Sequence, residues 1–297
     1  MFGRKKTTVP EWASVMDEKR YSAFISAIDD YFKRRGEPYT IDDGTVNVGS
    51  WKFGLTNIVQ ICAAQDPKEY PEMVEHHFAL MVENEAFEAS LVPDDFEKIK
   101  QYIGVRLYGE DYISRFGEDI MIRRPFAEDV FAALIFDFPQ TIKNISRSDA
   151  DKWNISDNEL FDIGIENIRR NYQLQAQEVV LGGDTVFTIE TEHFFASNIL
   201  FDIERNKRFI GKGGAIIGIP TRSLAAIYPI NDMKVVNVLS AFFDFVPRFY
   251  AGGPGSLTWQ IFWYRDGRYE PLKYETGKKI KFTPSEAFLS LLNGGLE

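Results

Sequence analysis

The sequence predicts an α+β fold of mixed, mostly antiparallel sheets with packed helices. It divides into a smaller unit over 8–93 and a larger one over 94–293. Three observations predict this. Hairpin turns recur between short apolar runs, at Asp42-Asp43-Gly44, Gly182-Gly183-Asp184 and Asp266-Gly267. Strand and helix patterns do not alternate regularly, as a parallel sheet with crossover helices requires. The run Val130–Phe138, with three phenylalanines and no charge before Asp137, reads as a strand buried on both faces and closed by Pro139.

In chain order, residues 1–7 are expected to be disordered. Thr8 and Glu11 form a capping-box pattern with Pro10 in the first turn. The helix that follows carries Tyr21, Phe24, Ile25, Ile28 and Phe32 on one face and ends at Gly36. Tyr39–Ile41 and Thr45–Val48 read as a hairpin, and Leu55–Ile61 fits either strand or helix. Pro71 opens a helix to about Glu88, with Met73, Val74, His77, Phe78, Met81 and Val82 on its apolar side.

In the larger unit, Asp94–Gln101 reads as a short polar helix, Ile103–Tyr108 as a strand, Asp111–Phe116 as a helical turn and Asp119–Arg124 as an edge strand. Ser156 and Glu159 make a second capping box, and its helix places Leu160, Gly164, Asn167 and Ile168 on one face. Strands are expected at Glu178–Leu181, Thr185–Ile189, Ala215–Ile219 and Leu224–Tyr228, the last two broken at Pro220. The stretch His193–Ile203 has mixed helical spacing. Asp232 caps a helix whose Val235, Val236, Leu239, Phe242 and Phe243 face inward. After the glycine-rich link Ala251–Ser256, Thr258–Tyr264 and Tyr269–Tyr274 pair as a hairpin. Thr283, Pro284 and Glu286 cap a last helix that stops at Gly294.

Composition narrows the function classes. A net charge of −10 disfavours nucleic acid and anionic membrane surfaces and favours a basic protein partner. With Cys62 the single cysteine, no intrachain disulfide can form and no cysteine cluster can hold zinc or iron–sulfur, and a buried thiol in a reducing compartment is expected. Arg4, Lys5 and Lys6 are not followed by an apolar segment, and no run approaches the length of a membrane span. The expected location is the cytoplasm.

Few patterns carry chemistry. The clusters Gly211-Lys212-Gly213-Gly214 and Gly252-Gly253-Pro254-Gly255 precede strands rather than helices, so they read as turns and not phosphate cradles. Glu72 and His76 sit four apart on one helix, but a metal needs three or four convergent ligands, so no metal or cofactor is expected. Asp137 and Asp184 flank apolar strands, where carboxylate pKa values shift; the plainer roles are a strand end and a turn. Arg222, between apolar strands, either pairs with a buried carboxylate, the favoured expectation, or binds an anion or partner. These three residues are the candidate site.

Several stretches together resemble the YtpQ-like bacterial family, a family of undefined function. They are Leu55-Thr56-Asn57-Ile58 with Asp66-Pro67, Ala133–Pro139, Trp153–Leu160 with Glu166-Asn167, Ile219–Leu224, and Trp263–Arg268 with Pro271. The segment Phe194–Phe209, the Gly252 loop and the tail after Glu275 depart from it. The resemblance implies a cytoplasmic bacterial protein of α+β build and supplies no active site. The resulting expectation is a non-enzymatic binding protein with an acidic surface, an immunity or adaptor protein docking a basic partner. The alternative is an enzyme using carboxylate acid/base chemistry on a small metabolite, with Asp137, Asp184 and Arg222 at one cleft.

Overall fold

A computed structural model describes residues 8–49, 51–91, 95–112, 121–139, 141–252, 255–275, 277 and 280–294, without the side chains of 81–86 and 88–90. The expectations for 1–7, for Met81 and Val82, and for 113–120 lie outside the described residues. The fold is α+β with antiparallel sheets, as the sequence predicts. The chain divides into two compact units, 1–90 with 139–141, and 91–138 with 142–297.

The first unit is built on helix α1 (Glu18–Arg35). Its cap is Asp17, whose carboxylate accepts the Arg20 N–H, and Gly36 ends it at φ 67°. The expected Thr8–Glu11 capping box is not formed. Glu11–Ala13 is a short 3-10 turn with no side-chain cap, because Asp17 stands directly before the amphipathic face and takes the capping role. Strands β1 (Tyr39–Asp42), β2 (Thr45–Val48) and β3 (Trp51–Gly54) form a meander, turned at Asp43 and Gly44 with positive φ at both. The ambiguous run after it is helical, α2 (Thr56–Ala63), and buries Ile58, Val59 and Cys62. Helix α3 (Tyr70–Ser90) follows, and Phe78 packs its ring 5.0 Å from Tyr31, 4.9 Å from Phe32 and 5.9 Å from Phe53.

The second unit holds two larger sheets. In the first, β4 (Ile103–Gly109) pairs with one side of β6 (Val130–Asp137). The other side of β6 takes β5 (Arg123–Ala127) and then β7 (Ile142–Asn144). Helix α4 (Asp157–Asn171) starts at Ser156, which accepts the Glu159 N–H. It packs so closely on β4 that a Cβ on Gly164 would stand 2.8 Å from the Gly104 carbonyl carbon. The open edge of β4 is covered by amides. Asn167 donates to the carbonyls of Lys100 and Ile103 at 2.7 and 2.8 Å, and Asn198, on the 3-10 helix Ala196–Arg205, donates to that of Val105 at 2.6 Å.

The second sheet runs β13-β12-β10-β11-β9-β8, from β8 (Gln177–Leu181), β9 (Asp184–Glu190), β10 (Ala215–Thr221), β11 (Leu224–Pro229), β12 (Ile261–Arg265) and β13 (Arg268–Pro271). Helix α5 (Val235–Gly252) covers one face with Val238, Leu239, Phe242, Phe243 and Val246. Val236, expected inward, is 48 % exposed, since a helix buries only a stripe of its surface. A short pair, β14 (Lys273–Glu275) and β15 (Lys281–Thr283), precedes α6 (Glu286–Leu292). The cap of α6 is Ser285 rather than Thr283. Among the described residues no helix is long and apolar enough to cross a membrane.

Candidate functional site

Arg222 sits in the turn between β10 and β11, whose backbone is fixed from several sides. Its N–H donates to the Gly255 carbonyl at 2.9 Å, and its own carbonyl accepts from Ser197 at 3.3 Å. Beside it, Leu257 donates to the Pro220 carbonyl and Thr191 to that of Ser223. Pro220 lies at a register shift between Gly218 and Thr221, which turns the strand end. Gly255 has φ +72°, and a Cβ there would be 3.1 Å from the Arg222 Nη2, so any side chain at this position is strained and crowds the guanidinium.

The Arg222 side chain is 5 % exposed, and its guanidinium carbon lies 5.5 Å from the Tyr108 ring centroid and 5.7 Å from that of Phe194. Arg106 reaches the same tyrosine, at 4.8 Å, and is 8 % exposed. Arg106 and Tyr108 are two apart on β4 and so share a face, opposite Ala133 and Phe131. The expected carboxylate is not beside Arg222: among the described residues neither guanidinium has an ion pair or a side-chain hydrogen bond, and both Nε atoms are buried without a partner. Burial and then the like charge of Arg106 push the Arg222 pKa down to about 10.

Around this pair stand neutral polar groups. Tyr108 donates to Asn144 Oδ1 at 3.3 Å, Asn144 Nδ2 to the Tyr112 hydroxyl at 3.5 Å, and the two tyrosine rings are 4.4 Å apart. Asp137, at the end of β6, accepts the Tyr172 hydroxyl at 3.0 Å. Burial raises the Asp137 pKa, against the lowering effects of Tyr172 and of Arg106. Tyr172 in turn packs 4.5 Å from His193 and 4.6 Å from Phe195. The His193 Nδ1 is buried without a partner among the described residues, and burial lowers its pKa.

Of the three sequence candidates, Asp137 and Arg222 both lie within electrostatic reach of Arg106. Asp184 does not join them. The register sets Leu224 beside Glu190, so Arg222 lies past one end of β9 while Asp184 begins the other, about 20 Å along the strand. Asp184 accepts from the Thr185 N–H and the Tyr228 hydroxyl and faces Lys234 at 3.6 Å, which together lower its pKa, the Thr185 bond most. Its place is the β8–β9 turn. Arg106, Tyr108, Asn144, Tyr172 and His193 were not singled out by sequence; the available signal was a cation inside the apolar run Ile103–Leu107.

Cavities among the described residues of this unit also lie away from the pair. One of about 400 Å³ is lined by Arg147, Asp151 and Ser156, and one of about 340 Å³ by Asp129, Trp259 and Lys273. Both open onto exposed side chains and hold no buried polar atom that lacks a partner. Among the described residues no group of three His, Cys, Asp or Glu side chains could hold a metal ion. Comparison with family models, with curated proteins and with solved structures finds no match.

Proposed function

We propose that this protein is a binding protein whose ligand is a small anion held by Arg106 and Arg222. One observation carries the reading: two buried guanidiniums lie against one tyrosine ring, and among the described residues neither makes an ion pair or hydrogen bond with a carboxylate. Taking a cation out of water costs several kcal/mol even after relaxation, and a second cation beside it adds repulsion. An anionic ligand removes both penalties through charge-assisted hydrogen bonds from the arginine forks.

The cytoplasmic setting and the likeness to the YtpQ-like family belong to the same proposal, supported by one buried thiol and by the stretches named above; neither adds a site residue. Docking of a basic protein partner rests on the net charge of −10. The enzyme reading retains one favourable observation, Asp137 with its pKa raised by burial, hydrogen-bonded to Tyr172 and within electrostatic reach of Arg106, which is the kind of setting acid/base chemistry uses.

The test is calorimetric titration of the full chain with a panel of small anions, repeated on Arg106→Met and Arg222→Met. The expected result is saturable binding that both substitutions abolish. An absence of saturable binding across the panel overturns the reading.

A further inference from the structure

The charge and shape of the ligand follow from the same two arginines, and this inference rests on the anion-binding reading. Arg106 belongs to β4 of one sheet and Arg222 to the β10–β11 turn of the other; their guanidinium carbons lie 4.8 and 5.5 Å from the Tyr108 ring centroid, and the charge of Arg106 is felt at Arg222. A monoanion compensates one guanidinium and leaves the second as a lone buried charge, the arrangement that interiors avoid. A planar carboxylate also matches a single guanidinium, edge to edge. A tetrahedral dianion instead presents separate oxygens to two forks that approach from different elements. We infer that the site takes a tetrahedral dianion of the phosphate class, free phosphate or a phosphate monoester, bound across both guanidiniums so that it ties the two sheets together. The nearby Tyr108, Tyr112 and Asn144 bring no formal charge, so they leave that count intact.

Titratable neighbours bear on any test that varies pH. Asp137 and His193 both lie on this cluster, and lowering the pH neutralises the first and charges the second. Both changes favour an anion at low pH. A loss of binding on acidification therefore reports the ligand's own charge.

The experiment is calorimetric titration and thermal melting of the full chain in sulfate, inorganic phosphate, methyl phosphate, acetate and formate at fixed ionic strength, at about pH 7.5 and about pH 5. A phosphate monoester loses its second charge near pH 6, whereas sulfate stays a dianion throughout. Expected are saturable binding and a raised melting temperature with sulfate and phosphate at the higher pH, with acetate and formate at least about tenfold weaker. Methyl phosphate should weaken about tenfold at the lower pH while sulfate does not. Binding of methyl phosphate as tight as that of phosphate supports a monoester, and binding of phosphate without methyl phosphate supports the free ion.

Formate or acetate binding as tightly as sulfate, or methyl phosphate unaffected by pH, overturns the dianion and leaves the anion-binding reading standing. No saturable anion overturns both. So does sulfate binding that survives in the Arg106→Met/Arg222→Met double variant, because it then sits elsewhere. Should that variant not fold, the charge and pH series on the wild-type chain decides alone.

Discussion

Arg169 and Arg222 lie in one unit and meet opposite surroundings. Arg169, on α4, spreads its fork over Asp202, with Nε 3.1 and 2.9 Å from the two carboxylate oxygens and Nη2 at 2.6 Å, and it also reaches Glu166. Those bonds raise its pKa. Arg222, far more buried, has no such partner among the described residues, and its pKa falls. The edge of β4 repeats the contrast, since Asn167 uses its amide N–H groups on two carbonyls and its oxygen on Arg170 at 2.9 Å. Other buried polar atoms among the described residues also lack partners, Asn198 Oδ1 and Ser197 Oγ among them, but the pair over Tyr108 sets two cations in such surroundings, and that is what marks it as a site.

The contrast is sharpest where a satisfied group is removed. Asn167→Leu strips the donors from Ile103 and Lys100, and the Ile103 carbonyl is buried. A loss of about 3 kcal/mol in urea unfolding is expected, because an unmet buried acceptor carries the full desolvation cost. A loss below about 1 kcal/mol would mean that water replaces the amide there.

Arg222→Met should do the reverse. Replacing an uncompensated buried cation by an apolar chain of similar length should stabilise the ligand-free protein by about 2 kcal/mol. The sign follows from its folded pKa of about 10, below the usual arginine value: Arg222 is still a cation at neutral pH, and folding destabilises that cation relative to the unfolded chain. Urea unfolding in anion-free buffer measures it. A large loss of stability would mean that Arg222 has a counter-ion after all, and its parallel with Arg169 would be restored.

The same substitution at Arg169 gives the matching control. Arg169→Met leaves Asp202 half-buried beside Glu166, although Arg205 still approaches Asp202 at 3.4 Å. A loss of about 1 kcal/mol is expected, in line with partly exposed pairs. Opposite signs at positions 169 and 222 in the same assay would confirm that the two arginines are differently used.

How much of this was legible depends on the range of the forces involved. The turns at Asp43-Gly44, Gly182-Gly183 and Asp266-Gly267 were readable because positive φ at those residues is a local demand. The inward face of α4, Asn167 included, followed from its period. Arg106 was not readable. In Ile103–Gly109 it alternates like an outward residue of a half-exposed strand, and only packing of distant chain against that face buries it. Arg222 was marked by its apolar flanks, yet its lack of a partner is a fact of tertiary structure. Asp184 looked equivalent to Asp137, since both flank apolar strands, and only the register of β9 on β11 separates them.

Asp137 gives the smallest effect and the most searching test. It is the carboxylate nearest in role to a counter-ion for the arginine pair, so its ionisation decides whether the pair is compensated from within. Its pKa is raised, burial outweighing Tyr172 and Arg106, so the folded chain holds that proton more tightly than the unfolded chain does. The stabilisation this provides is complete below the unfolded carboxylate pKa and disappears as pH rises through the folded value. Asp137→Asn keeps an oxygen for the Tyr172 hydroxyl and never ionises. Relative to wild type, the variant should therefore gain stability as pH rises from about 4 toward neutrality, then run parallel above the folded pKa. Urea unfolding across that range, without added anions, measures the difference. The opposite slope, with wild type gaining on the variant as pH rises, would show an ionised Asp137 stabilised by Arg106. The arginine pair would then carry its counter-ion within the chain, as Arg169 does, and would have no need of a ligand.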